Sequence, residues 1–164
     1  TMAARALREL GASTVRFNFR GTGNSAGTYD EGNGETTDLV AVVAWVRRER
    51  PDHALWLAGF SFGAYVSLRA SDALQPDGLI SIAPPAGRWD FESIVLPRCP
   101  WLVIQGEADE IVDPEAVYHW LDDSGADAAL VRMPDTSHFF HRKLMDLRGA
   151  LKNGVRTWLP DPVA

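Results

Sequence analysis

A serine framed by two glycines, Gly59-Phe60-Ser61-Phe62-Gly63, is the sharpest chemical signal in the chain. It fits G-x-S-x-G, in which a serine sits on a tight turn between a strand and a helix. An apolar segment, His53–Gly59, precedes it, and a helical pattern, Phe62–Leu74, follows, so the flanks are those the motif requires. Such a turn forces the serine into strained backbone geometry and lifts its hydroxyl clear of the sheet edge. It also sets the hydroxyl at a helix N-terminus, where backbone N–H groups favour developing negative charge. Glycines two before and two after the serine are expected to keep side chains out of the turn.

A serine hydroxyl becomes a good nucleophile when a base takes its proton, and the base in turn needs an orienting carboxylate. Two later segments supply these types. Trp101–Gln105 reads as a strand running into Gly106-Glu107-Ala108-Asp109-Glu110-Ile111-Val112, and Met133-Pro134-Asp135-Thr136-Ser137-His138 is a strand end running into a histidine. Both groups leave the carboxyl ends of strands, the edge of an open α/β sheet where ligand sites form. Asp113 precedes Pro114 and reads as a helix N-cap, and Asp135 as a turn residue. His141 falls at the start of the last expected helix, and His53 and His119 read as solvent-facing. The selection is Ser61 as nucleophile, His138 as general base, Asp109 as the residue orienting it, and the backbone N–H of Phe62 as an oxyanion donor.

The elements that must position these residues alternate along the chain. Helices are expected over Met2–Leu10, Thr37–Arg50, Phe62–Leu74, Pro114–Asp122 and His141–Trp158. Strands are expected over Thr14–Phe19, His53–Gly59, Asp77–Ala83, Trp101–Gln105 and Ala128–Met133. Arg20–Gly34, glycine-rich and polar, reads as a loop. Apolar strands separated by helices predict a mostly parallel sheet with helices on both faces. Trp89 and Phe91 lie near the expected site and either line an acyl pocket or cover the core; Phe60 joins them as a substrate-binding candidate.

Four segments together resemble the α/β-hydrolase superfamily, and within it the small lidless bacterial serine hydrolases related to dienelactone-hydrolase-like proteins. They are Val15–Ser25 with its Arg20-Gly21-Thr22-Gly23-Asn24-Ser25 turn, the Gly59–Gly63 elbow, the acid loop Gly106–Val112, and Ser137-His138-Phe139-Phe140. The order serine, acid, histidine is that family's order. The resemblance implies a single domain over 1–164 that lacks the family's first three strands. One of the lacking strands would lie between Thr14–Phe19 and His53–Gly59, and a second oxyanion donor would lie upstream of residue 1. The gap left in the sheet would expose unpaired backbone groups and apolar faces, and loss of one such donor costs about 10²–10³ in rate, so a chain of this extent is expected to be poorly stable and weakly active. Only about a dozen residues separate Pro85 from Pro100, too few for a lid domain. An open site favours a small ester or thioester, cleaved through an acyl-enzyme. Peptidase or acyltransferase chemistry on the same triad, or a non-catalytic ligand-binding module, are the alternatives.

Composition narrows the classes. The net charge is −6 over 164 residues, which argues against nucleic acid or an anionic membrane as partner; a small-molecule acyl substrate is expected. Gly21-Thr22-Gly23-Asn24-Ser25-Ala26 fits a dinucleotide fingerprint, but the glycines and acids that follow it cannot continue a helix. Asp30, Glu35 and Asp38 read as helix-capping charge rather than metal ligands, and neither metal nor cofactor is expected. The single cysteine, Cys99, cannot form an internal disulfide, which fits a reducing, cytoplasmic setting.

Overall fold

In the computed structural model, which describes residues 1–160, four strands form one parallel sheet in the order β1-β2-β3-β4. They are β1 (Trp56–Phe60), β2 (Gly78–Ile82), β3 (Trp101–Gly106) and β4 (Ala129–Met133). The helices are α1 (Met2–Glu9), α2 (Asn33–Glu49), α3 (Phe62–Leu74), α4 (Pro114–Asp123) and α5 (Leu144–Val155). The last four residues of the unit expected over 1–164 lie outside the described residues.

Strand alternation divides the core into two layers. Leu79 of β2 and Trp101 and Val103 of β3 face one cluster, which takes in Leu39 and Val43 of α2, Leu68 of α3 and Val117 of α4. Ile80 and Ile82 with Leu102 and Ile104 face the other, formed with Ala6 and Leu7 of α1 and Leu147 and Leu151 of α5. Helices therefore cover both faces, and the central strands β2 and β3 are buried throughout. Each fully buried leucine or isoleucine contributes about 1.5–3 kcal/mol. On the α2–α4 face, the Trp101 indole N–H donates to Ser81 Oγ at 3.1 Å, which satisfies two buried polar groups at once.

The helix ends follow local chemistry. Gly11, with φ of 95°, follows α1, and its N–H donates to the Arg8 carbonyl. Glu35, wholly buried, accepts the backbone N–H groups of Asp30 and Gly32, and so starts α2 four residues earlier than Thr37. The Asp113 carboxylate caps α4 by accepting the Glu115 N–H at 3.0 Å, with Pro114 at the first helical position.

Two expectations are corrected. Thr14–Phe19 is not a strand: it has no ladder partner among the described residues, and Val15 and Phe17 are exposed. A strand's donors and acceptors need a neighbour to pair with, so β-rich composition alone does not make one here. The sheet accordingly has four strands rather than five, with β1 at its edge. The last helix begins at Leu144, not His141, because Phe140 and Arg142 take positive φ angles of 55° and 59°; it finishes as a 3₁₀ turn over Arg156–Trp158.

Candidate active site

Ser61 stands at the junction of β1 and α3 with φ of 52° and ψ of −116°, a conformation that costs a non-glycine residue energy. Neighbouring bonds hold it there. Its N–H donates to the Ile82 carbonyl at 2.8 Å, and its own carbonyl accepts from Ala64 N at 2.9 Å and Tyr65 N at 3.2 Å. The two flanking glycines differ. A Cβ on Gly59 would lie 2.2 Å from the Gly63 carbonyl oxygen, whereas one on Gly63 would meet nothing within 4 Å. The turn is thus tight at Gly59, which corrects the expectation that both positions exclude side chains. Phe62 is the first helical residue, so its N–H has no partner within α3.

The acid loop after β3 and the histidine loop after β4 are tied together by their backbones. Glu107 N–H donates to the Met133 carbonyl at 2.9 Å, and Ala108 N–H to the Thr136 carbonyl at 3.0 Å. Across this seam His138 Nδ1 lies 2.8 Å from Asp109 Oδ2, with the two side chains only 3% and 1% exposed. The remaining oxygen, Asp109 Oδ1, accepts the N–H groups of Ile111 at 2.9 Å and Val112 at 2.7 Å. Those bonds fix the carboxylate plane and aim Oδ2 at the imidazole. Nδ1 then carries the proton that Asp109 accepts, which leaves Nε2 as the acceptor.

The structure brings Asp109 and His138 into direct contact. It sets Ser61 on the neighbouring loop, next to Phe60, whose ring centroid is 5.0 Å from the imidazole. Among the described residues no hydrogen bond joins Ser61 Oγ to His138. The competing residues lie apart: Asp113 caps α4, Asp135 holds a turn with φ of 52°, and His53, His119 and His141 are exposed.

The three aromatic candidates separate. Phe60 and Phe139 are exposed beside His138. Trp89 is half-buried, 5.6 Å from the Phe62 ring and stacked on Tyr65 at 5.3 Å. Phe91 is buried between Tyr65 and Trp120, and packs as core rather than as an open wall. Cys99 is half-buried, and burial pushes its thiol up from the ordinary range.

Sequence reading passed over two polar residues here. Gln105, wholly buried at the end of β3, donates through Nε2 to Asp109 Oδ2 at 3.1 Å. Glu110 accepts the backbone N–H of His138 at 3.2 Å. The only sequence signal for the first was an amide closing an otherwise apolar strand. Among the described residues no group of three His, Cys, Asp or Glu side chains could hold a metal ion, and no helix is long and apolar enough to cross a membrane.

Comparison with known proteins agrees with this architecture. Residues 7–97, more than half of the chain, match the family model described as X-Pro dipeptidyl-peptidase (S15 family). The crystal structure of XC6422 from Xanthomonas campestris, described as a member of a/b serine hydrolase without lid, is 68% identical. It superposes with a TM-score of 0.95 over 99% of this chain and 74% of that one. An alpha-beta serine hydrolase homologue from Coxiella burnetii is 44% identical, with a TM-score of 0.89 over 96% of this chain and 74% of that one. Protein RP471 of Rickettsia prowazekii is 26% identical over 94% of this chain and 69% of its own length. The connection from β2 to β3, Ala83–Pro100, carries no helix, in keeping with a lidless relative. The chain belongs to the α/β-hydrolase superfamily, among the serine hydrolases without a lid, and through residues 7–97 to the family of the S15 model.

Proposed function

We propose that the protein hydrolyses a small, solvent-accessible ester or thioester through an acyl-enzyme on Ser61. The observation that carries this reading is the buried 2.8 Å contact of His138 Nδ1 with Asp109 Oδ2, beside a serine strained to φ of 52°. Ser61 Oγ bonds the substrate carbonyl carbon as its proton passes to His138 Nε2. Asp109 holds the tautomer and stabilises the imidazolium. The Phe62 N–H donates to the developing oxyanion. Collapse expels the alcohol or thiol with the proton from His138. Water then repeats the sequence on the acyl-enzyme, and the carboxylic acid leaves. Catalytic hydrogen bonds commonly tighten only around substrate, so the serine–histidine bond belongs to the complex in this reading.

Phe60, Phe139 and Trp89 supply apolar surface for the acyl or leaving group, and the absence of a helix between β2 and β3 supports an accessible site. The net charge of −6 argues for a small-molecule substrate over nucleic acid or membrane, and the lone cysteine for a cytoplasmic setting. The match of residues 7–97, which include Ser61, to the S15 model favours a second reading, X-Pro dipeptidyl-peptidase activity on the same serine.

Fluorophosphonate labelling, with the modified peptide located by mass spectrometry, tests the nucleophile. Labelling at Ser61 that vanishes in Ser61→Ala is expected, and labelling elsewhere overturns the assignment. Turnover of p-nitrophenyl esters should fall with acyl length. Turnover confined to long chains would exclude the small-substrate reading, and turnover of Xaa-Pro amides alone would select the peptidase.

A further inference from the structure

The geometry points to Gln105 as a positioning residue that shares Asp109 Oδ2 with His138 and so governs how the carboxylate meets the base. The inference rests on the proposed acid–base pair and deepens it.

Gln105 occupies the last position before Gly106 in a strand whose preceding residues, Trp101 to Ile104, are all apolar and buried. Its side chain is 0% exposed. An amide there is costly, and this one is only partly satisfied. Nε2 donates to the Gly106 carbonyl at 3.0 Å and to Asp109 Oδ2 at 3.1 Å, while Oε1 has no partner among the described residues. A buried polar atom without a partner loses its hydration with nothing in return. An apolar side chain would avoid that cost, so stability alone does not account for the amide. What the amide does provide is a second donor to the same oxygen that receives His138 Nδ1.

That shared oxygen defines the effect. Ile111 and Val112 occupy Oδ1, and Gln105 and His138 divide Oδ2. A neutral donor on Oδ2 withdraws part of the charge that would otherwise attract the imidazolium. It adds to the hold that Ile111 and Val112 already have on the carboxylate plane. Gln105 therefore shares with His138 the one carboxylate oxygen that faces the imidazole, and its loss would leave that oxygen to His138 alone.

The two loops that meet at the ring carry further charges, among them Glu107 on the acid loop and Asp135 on the histidine loop, both exposed. Glu110 takes the His138 backbone N–H and stands on the solvent side. His141, Arg142 and Lys143 continue the same loop in exposed or half-exposed positions, and the elbow contributes only uncharged Phe60 and Ser61. Arg132, the register partner of Gln105 on β4, sends its guanidinium over the Tyr118 ring, 3.8 Å from the centroid.

The test is the pH profile of kcat/KM for p-nitrophenyl acetate in the parent and in Gln105→Met, a replacement of similar length without the amide. The acidic limb should move up by roughly 0.5–1 pH unit, because the bare carboxylate attracts the imidazolium more strongly. Activity at pH 6 should fall by about 3- to 10-fold while activity at pH 9 changes less. A purely structural amide would lower activity equally at every pH and leave the limb in place; that result would overturn the inference. Gln105→Asn, which keeps an amide too short to reach Asp109, should reproduce the shift and serves if the methionine variant does not fold. NMR titration of the His138 ring in either variant reads the same upward shift without relying on turnover. His138→Ala separates the two ideas: full activity in that variant would remove the acid–base pair itself. An inactive His138→Ala with an unmoved limb in Gln105→Met would remove only the role of Gln105.

Discussion

Gly106 and Thr136 approach so closely that a Cβ on the glycine would lie 2.4 Å from the threonine carbonyl oxygen. This is where the acid loop leaves β3 and the histidine loop passes over it. The same carbonyl accepts the Ala108 N–H at 3.0 Å, so the close approach is part of the seam that sets Asp109 against His138.

Replacing Gly106 with alanine should therefore damage catalysis through position. The added methyl meets backbone atoms, which cannot swing aside. Overpacking of this kind costs about 1–3 kcal/mol, and displacing a catalytic group by about 1 Å can cost on the order of 100-fold in rate. Gly106→Ala is expected to lower kcat/KM by roughly 10- to 100-fold with a moderate fall in Tm. A variant with parental kinetics would show that the two loops move freely past one another.

The two glycines of the elbow should respond in opposite ways. Gly59→Ala places a methyl 2.2 Å from the Gly63 carbonyl oxygen and 2.6 Å from Ala64 N. It should lower stability by about 1–3 kcal/mol or prevent folding. Gly63→Ala meets no neighbour within 4 Å and lies inside α3. Alanine is favoured over glycine in a helix by up to about 1 kcal/mol, so its Tm should stay level or rise. Thermal unfolding of the pair decides the matter, and equal losses would contradict the structure.

Glu9 ties α1 to α5. Lys152 Nζ lies 2.6 Å from its carboxylate, Arg148 Nε donates to it at 2.9 Å, and these two bonds pull it from its ordinary value of 4.5 down to about 2. A carboxylate held below its unfolded value adds stability that is fully present above about pH 4.5 and disappears as pH falls toward 2. Glu9→Gln should melt below the parent at pH 7, and the gap should close as the pH approaches 2. Glu9 is exposed and its two cationic partners are partly so, so added salt should shrink the gap as well. A gap independent of pH would assign the loss to packing rather than charge.

Much of the site was legible because its chemistry depends on local order. Gly59–Gly63 announces a turn through its spacing alone, and Asp113-Pro114 announces a helix start. The acid and histidine loops were found because each ends an apolar strand. What was misread depended on neighbours. Thr14–Phe19 has strand composition but no strand beside it among the described residues. Phe91, flanked by exposed Asp90 and Glu92, could line a pocket or cover the core by sequence alone, and it fills the core between Tyr65 and Trp120. His141 lies before the last helix because positive φ angles at Phe140 and Arg142 interrupt it.

By itself the amino-acid sequence determined the alternating elements, the parallel sheet with helices on both faces, and the family. Hydrophobic periodicity and turn chemistry are local properties, and the serine, acid and histidine motifs are short. Tertiary structure alone decided which polar groups share an atom. Gln105 and His138 are 33 positions apart along the chain and meet on one oxygen of Asp109. That meeting requires β3 and β4 to lie side by side in the register Gly106↔Met133. Long-range register follows from how whole faces bury their side chains, and no window of sequence contains it.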